Sequence, residues 1–247
     1  LTGAGRGIGK ALAFAFAQEG AHLVILSKSD HISTTAKDLM REYPNSCIEL
    51  KGDVSQFDFV QDSVNLVMQR WGKIDILVNA AAILGPTGRM HTNEVEAWIR
   101  TIEVNLLGVF NTMKAVIPVM ISQGAGKIIN FAGGGAAYAY PRFTAYATSK
   151  VAVVRLTETV AEEYAKEGIR ANVIAPGAVE TDMLQKVRAA RGEVRTVVDI
   201  QLPIQLVLFL ASSSSDHVNG RFIHSKDDYR SFDESLKQDQ YKLRRLV

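Results

Sequence analysis

Apolar residues fall along this chain in two alternating rhythms. Short runs at Leu23 to Leu26, Ile74 to Val78, Lys127 to Phe131 and Ala171 to Ile174 are rich in Ile, Val and Leu, with little polar alternation. Runs of that kind predict strands covered on both faces. Between them the spacing lengthens to a helical period near 9–19, 33–42, 57–70, 93–122 and 144–167. Several of these segments stop at a glycine, as in Glu19-Gly20, Trp71-Gly72 and Glu167-Gly168. Strand and helix in turn predict βαβ units, hence an α/β fold: a doubly wound parallel sheet in three layers, with helices on both faces. No linker, repeat or low-complexity stretch divides the chain, so a single domain is expected over 1–225. The segment 226–247, half of whose residues are charged, reads as a solvated or interface-forming extension of that domain. Leu1 and Thr2 run straight into a glycine-rich turn, so the chain is expected to start inside a strand.

Composition narrows the classes. With 47% hydrophobic and 22% charged residues among 247, disorder, collagen and coiled coil are excluded. Lys plus Arg number 28 against 26 Asp plus Glu, and a net charge of +2 gives no cationic field for gripping a phosphate backbone. Nucleic acid is not an expected partner. The longest uninterrupted apolar run, Ala11 to Ala17, falls well short of the roughly 20 residues a membrane helix needs, and no membrane partner is expected either. The single Cys47 rules out an internal disulfide and a multi-cysteine metal site, and it fits a reducing cytoplasm. No metal is expected, so redox chemistry would have to come from an organic cofactor.

The glycine-rich turn offers one. Thr2-Gly3-Ala4-Gly5-Arg6-Gly7-Ile8-Gly9 leads directly into a helical run. Glycines at a strand-to-helix turn allow positive φ and close approach of a pyrophosphate, and the helix N-terminus supplies free N–H groups. A nucleoside-triphosphate loop would need Gly at Ala4 and Ser or Thr at Ala11, and the G-x-G-x-x-G fingerprint would need Gly at Ile8. Both fail. About 20 residues on, where a carboxylate would select NAD, the chain reads Ser27-Lys28-Ser29. An ammonium and two hydroxyls favour a 2′-phosphate, and Arg6 stands ready as a second cation. NADP is the expected cofactor, with NAD the alternative. Asp30 comes too late for the ribose and reads as the cap of the next helix.

Tyr146 and Lys150, four apart in a helical run, share one helix face. An ammonium beside a phenol can lower its pKa and ready it for proton transfer. With T-G-x-x-x-G-I-G at Thr2 to Gly9 and Tyr146-x-x-x-Lys150, the chain resembles the short-chain dehydrogenase/reductase family over about residues 1–225, with a Rossmann-type fold implied. The resemblance assigns catalysis to Tyr146 and Lys150, with Asn105 positioning a water beside the lysine. It assigns cofactor binding to Gly3, Gly5, Arg6, Gly7, Ile8, Gly9, Ser27 and Lys28 at the turn and second strand. It adds Asp53 and Val54 at the adenine, Asn79 in Asn79-Ala80-Ala81-Ala82, Tyr146 and Lys150 themselves, and Pro176, Gly177 and Thr181 at the nicotinamide. The implied activity is interconversion of a small-molecule ketone or aldehyde and an alcohol, by a homo-oligomer, tetramer or dimer.

Three features depart from the pattern. The family's catalytic Ser, thirteen residues before the Tyr, is Gly133 here, within Phe131-Ala132-Gly133-Gly134-Gly135. Backbone N–H groups of Gly133 to Gly135, or the hydroxyls of Tyr138, Tyr140 or Thr144, are candidate replacements. The alternative reading is a catalytically weak nicotinamide-nucleotide-binding regulator. Lys186, Arg188, Arg191 and Arg195, along Asp182 to Leu202, form either a basic lid for an acidic substrate or a solvated face. Where many members read D-G-G near the end, this chain reads Asp227-Asp228-Tyr229.

Overall fold

The computed structural model of the protein describes residues 1–195, 197–233, 236 and 239–243, so part of the 226–247 extension lies outside the described residues. Six strands, β1 (Leu23–Ser27), β2 (Cys47–Lys51), β3 (Ile76–Asn79), β4 (Gly126–Phe131), β5 (Ile169–Ala175) and β6 (Phe222–His224), pair in parallel throughout. Thr2 bridges Leu26 on one side and Asn79 on the other, which places Leu1 and Thr2 in the slot between β1 and β3. The sheet order is therefore β2, β1, Leu1–Thr2, β3, β4, β5, β6. The chain reverses direction across the sheet beside Thr2, and the glycine turn leaves from the carboxyl end of that central slot. A ligand crevice belongs there in an open α/β sheet.

Helices cover both faces. α1 (Gly7–Gln18), α2 (His31–Glu42) and α8 (Gln201–Ala211) bury Leu12, Phe16, Ile32, Leu39, Leu206 and Leu210 against one face. α3 (Phe57–Trp71), α5 (Gly108–Gln123) and α6 (Thr144–Glu163) bury Val60, Val64, Val116, Met120, Val153 and Val154 against the other. Two short helices, α4 (Val95–Ile102) and α7 (Asp182–Ala189), flank the carboxyl ends of the strands.

Two local expectations are corrected, and two further features were not visible in the pattern. β2 escaped the pattern because its Glu49 and Lys51 are exposed on an edge strand while only Cys47 is fully buried. The 93–122 segment is not one helix: a π turn, Glu103–Leu107, separates α4 from α5. Val95–Gln123 as a whole is long and apolar enough to cross a membrane, although no single run of it is. Most of it is buried, and its apolar face packs on α3 and the sheet. Asp30 does stand at the start of α2, but its side chain caps nothing and pairs instead with Lys51 of β2.

Candidate active site

The glycine turn is a backbone cradle. A Cβ at Gly9 would lie 2.2 Å from the Gly3 carbonyl oxygen, and one at Gly3 only 2.6 Å from Ala81 N, so neither position has room for a side chain. Gly3 and Gly7 also take positive φ, +74° and +56°. Arg6, at the N-cap of α1, places no side-chain acceptor on the first-turn N–H groups, which leaves them available to an anion. Ile8, in that same turn, lines the cleft beyond it.

At the end of β1, Ser29 N donates to Ser27 Oγ at 3.3 Å, and a Cβ at Gly5 would meet both serine hydroxyls at 3.0 Å. Lys28 is 72% exposed on its side chain, and its Nζ lies 3.0 Å from Asp53 Oδ2. Asp53 is a hub that the sequence did not reveal, because Arg100 of α4, 47 positions away, also reaches it. Burial acts to raise Asp53. Hydrogen bonds from Ser55 N, Lys28 and Ser55 Oγ, together with the Arg100 charge, outweigh that and hold its carboxyl at about 2. Val54 beside it is buried, with its carbonyl accepting from Asn111 Nδ2 at 3.0 Å. Arg6 reaches across to Asp182 Oδ2 at 3.4 Å, an exposed contact between the glycine turn and α7.

Asn79, at the end of β3, is buried. Its Nδ2 donates to Asn130 at 2.9 Å and its Oδ1 accepts from Thr112 at 2.8 Å, which anchors the side chain inside the sheet. On the far wall, Gly177 takes φ +77°, Pro176 O accepts from Ser225 Oγ at 2.9 Å, and Thr181 Oγ1 caps α7 by accepting from Leu184 N at 3.4 Å.

A cleft of about 360 Å³ opens between these walls, lined by Ile8, Gly133, Tyr138, Tyr140, Tyr146, Gly177, Thr181, Met183 and Arg195 among others. Tyr146 stands at its floor on the first turns of α6. Lys150, one turn on and only 2% exposed, lies 5.7 Å from the Tyr146 ring centre and donates from Nζ to Phe131 O at 2.8 Å. Burial pulls Lys150 down to about 8. The expectation that the lysine lowers the phenol is not met: burial, followed by the influence of Tyr140 and Tyr138, pushes Tyr146 above its ordinary range. A phenolate here would be desolvated with no cation in direct contact. Asn105, fully buried in the π turn, accepts from Ile83 N at 2.8 Å and donates to Ile83 O at 2.9 Å and to Ser149 Oγ at 3.1 Å. Ser149 Oγ in turn donates to Tyr146 O at 2.7 Å, so Asn105 ties the 83 loop to the start of α6. Sequence reasoning missed Ser149, whose position beside Lys150 was its only signal.

Lys150 makes the stability testable. Between pH 8 and 10 the unfolded lysine, titrating near 10.5, holds a proton that the folded one has lost, so folding stability rises with pH across that window. Urea unfolding should show a gain on the order of 2 kcal/mol. Lys150→Met should abolish most of it, and an unchanged gain in that variant would contradict the burial.

The glycine triplet mixes backbone states: Gly135 takes φ +89°, whereas Gly133 and Gly134 do not adopt the left-handed region. A Cβ at Gly133 would lie 2.5 Å from Tyr146 Oη: the phenol leans into the space that the missing side chain leaves. Of the four basic residues on the lid, Arg195 alone lines the cleft, paired with Glu193, while Arg188 forms a two-pronged pair with Glu180.

The short chain dehydrogenase family model matches residues 1–192 of the chain. The chain belongs to that family. It is 36% identical over 233 residues to the 2-(R)-hydroxypropyl-CoM dehydrogenase of Xanthobacter autotrophicus, covering 89% of this chain and 93% of that protein. It is also 36% identical over 235 residues to the 3-oxoacyl-(acyl-carrier-protein) reductase of Thermotoga maritima, covering 90% and 93%. Among solved structures, a variant of actinorhodin polyketide ketoreductase with NADPH superposes with a TM-score of 0.85 at 28% identity, covering 94% of this chain and 96% of that one. As a member of the family, the protein is an NAD(P)-dependent oxidoreductase acting on carbonyls and alcohols.

Proposed function

We propose that this short-chain dehydrogenase is NADP(H)-dependent and interconverts a small ketone or aldehyde and an alcohol, with Tyr146 passing the proton. The observation that carries the reading is the placement of Tyr146, backed by a buried Lys150, in a cleft that Ile8 of the glycine turn also lines. The cradle and the open N-terminus of α1 suit a pyrophosphate. The nicotinamide supplies hydride transfer when bound. Tyr146 holds a proton at Oη and releases it to the substrate oxygen, Lys150 stands buried one turn further along α6, and Asn105 holds the 83 loop on α6. The outcome to measure is substrate-dependent loss of nicotinamide absorbance across a panel of ketones.

Preference for NADP is supported by Lys28, Arg6, Ser27 and Ser29 around the ribose side, and by the pairing of Asp30 with Lys51, which mutes its repulsion of a phosphate. NADPH should therefore bind more tightly than NADH, and Lys28→Asp should reverse the order by replacing attraction with repulsion. Fluorescence titration of both nucleotides checks this. Equal affinities in the unmodified protein would refute it.

A second reading, a nicotinamide-nucleotide-binding regulator with little turnover, is favoured by Gly133 and by the raised Tyr146 phenol. Tight nucleotide binding without turnover of any ketone would establish it. We further read the protein as a cytoplasmic homo-oligomer, tetramer or dimer. Val95, Ile99, Leu107 and Phe110 on α4, the π turn and α5, with Val151 on α6, remain exposed in one chain. Light scattering at micromolar concentration should give a multiple of the chain mass of 27.0 kDa, and a monomer would overturn it.

A further inference from the structure

Gly133 leaves the proposed reaction with one hydrogen-bond donor to the substrate oxygen where its family pattern has two. Three hydroxyls follow in the same loop, and their surroundings separate them. Thr144 Oγ1 accepts from Asn93 Nδ2 at 3.4 Å and from Trp98 Nε1 at 3.3 Å, and it does not line the cleft. Tyr140 lines the cleft, but its hydroxyl donates to Glu193 O at 3.0 Å while its ring stacks on Phe143 with centres 4.6 Å apart. Tyr138 lines the same cleft, and among the described residues its hydroxyl has no hydrogen-bond partner.

The Tyr138 ring is nevertheless held. The Arg195 guanidinium lies over it, 3.8 Å from the ring centre, and is itself fixed by a two-pronged pair with Glu193 at 3.0 and 3.1 Å. The Tyr140 ring meets it edge-on at 6.3 Å, and Tyr140 is tied to the Glu193 backbone, so the four residues brace one another. A cation above a phenol ring draws electron density from it and strengthens its O–H as a donor. A hydroxyl on a fixed ring is also preorganised, which is what a donor to developing oxyanion charge requires.

We propose that Tyr138 is a further catalytic residue, whose hydroxyl donates the second hydrogen bond to the substrate oxygen in place of the side chain absent at Gly133. Arg195 and Glu193 are positioning residues that hold its ring. Tyr138 keeps its proton throughout; the proton that reaches the substrate comes from Tyr146. This assignment rests on the oxidoreductase reading above.

The test is single-turnover reduction of one accepted ketone by the full chain with NADPH. Tyr138→Phe keeps the ring and removes only the hydroxyl, and it should lower the hydride-transfer rate at least ~10-fold, below the full ~10²–10³ that one oxyanion donor can supply. NADPH affinity and melting temperature should stay unchanged. Arg195→Leu should lower the rate in the same direction, Arg195→Lys should restore part of it, and Arg195→Leu should add nothing once Tyr138 is Phe. An unaltered rate in Tyr138→Phe overturns the proposal, as does an effect confined to KM. If Tyr146→Phe abolishes turnover while Tyr138→Phe leaves the rate unaltered, the Tyr138 assignment alone fails. If Tyr146→Phe retains full turnover, the oxidoreductase reading of the site fails first.

Discussion

Tyr146→Phe is expected to remove at least ~99% of turnover while leaving NADPH affinity nearly intact. The phenol lines the cleft with its hydroxyl beside Gly133, and that hydroxyl donates to Met183 Sδ at 3.9 Å. Among the described residues, no carboxylate, His or Cys side chain hydrogen-bonds to it, so no group stands by to take over its proton. The glycine cradle of Gly3 to Gly9, proposed to hold the pyrophosphate, belongs to a different element from Tyr146, which is why nucleotide binding should survive. Stopped-flow absorbance for turnover and fluorescence titration for binding separate the two effects. Turnover above a tenth of the unmodified rate would remove Tyr146 from its role, whereas parallel loss of binding would recast it as a nucleotide contact.

Gly133→Ser restores the hydroxyl that the family pattern calls for at this position, yet it should lower kcat by about 10²-fold. The new Cβ would sit 2.5 Å from Tyr146 Oη, well inside contact distance, so the phenol has to swing out of the space it now fills. Tyr146 sits on α6 with its backbone carbonyl held by Ser149 and that serine by Asn105, so the displacement falls on the side chain that carries the proton. A shift on the order of 1 Å in a reacting group is enough for a loss of that size. Single-turnover hydride transfer in the two proteins decides the matter. A tenfold rise in the Ser variant would mean that the glycine is a defect in catalysis and not a consequence of how Tyr146 is seated.

Much of the molecule is legible in local sequence. Near-continuous apolar runs gave four of the six strands and the three-layer arrangement, because a strand buried on both faces needs no polar positions. The glycine turn was legible for a comparable reason: four closely spaced glycines running into a helix are costly to keep unless something must approach the backbone there. Tyr146 and Lys150 share a face by helical arithmetic alone. What sequence could not supply depends on residues far apart in the chain. The edge strand β2 hid because an exposed edge alternates like a loop. Asp53 meets Arg100 only because α4 folds over the end of β2. The pKa values of Tyr146 and Lys150 follow from depth of burial, which the spacing of the pair does not encode, so a lysine expected to lower the phenol instead lies 5.7 Å from its ring centre and is itself lowered. Likewise the glycine at 133 and the tyrosine at 138 are ordinary as letters. Only the packed loop shows that the first yields its space to Tyr146, while the second is clamped beneath Arg195 with its hydroxyl unpaired among the described residues.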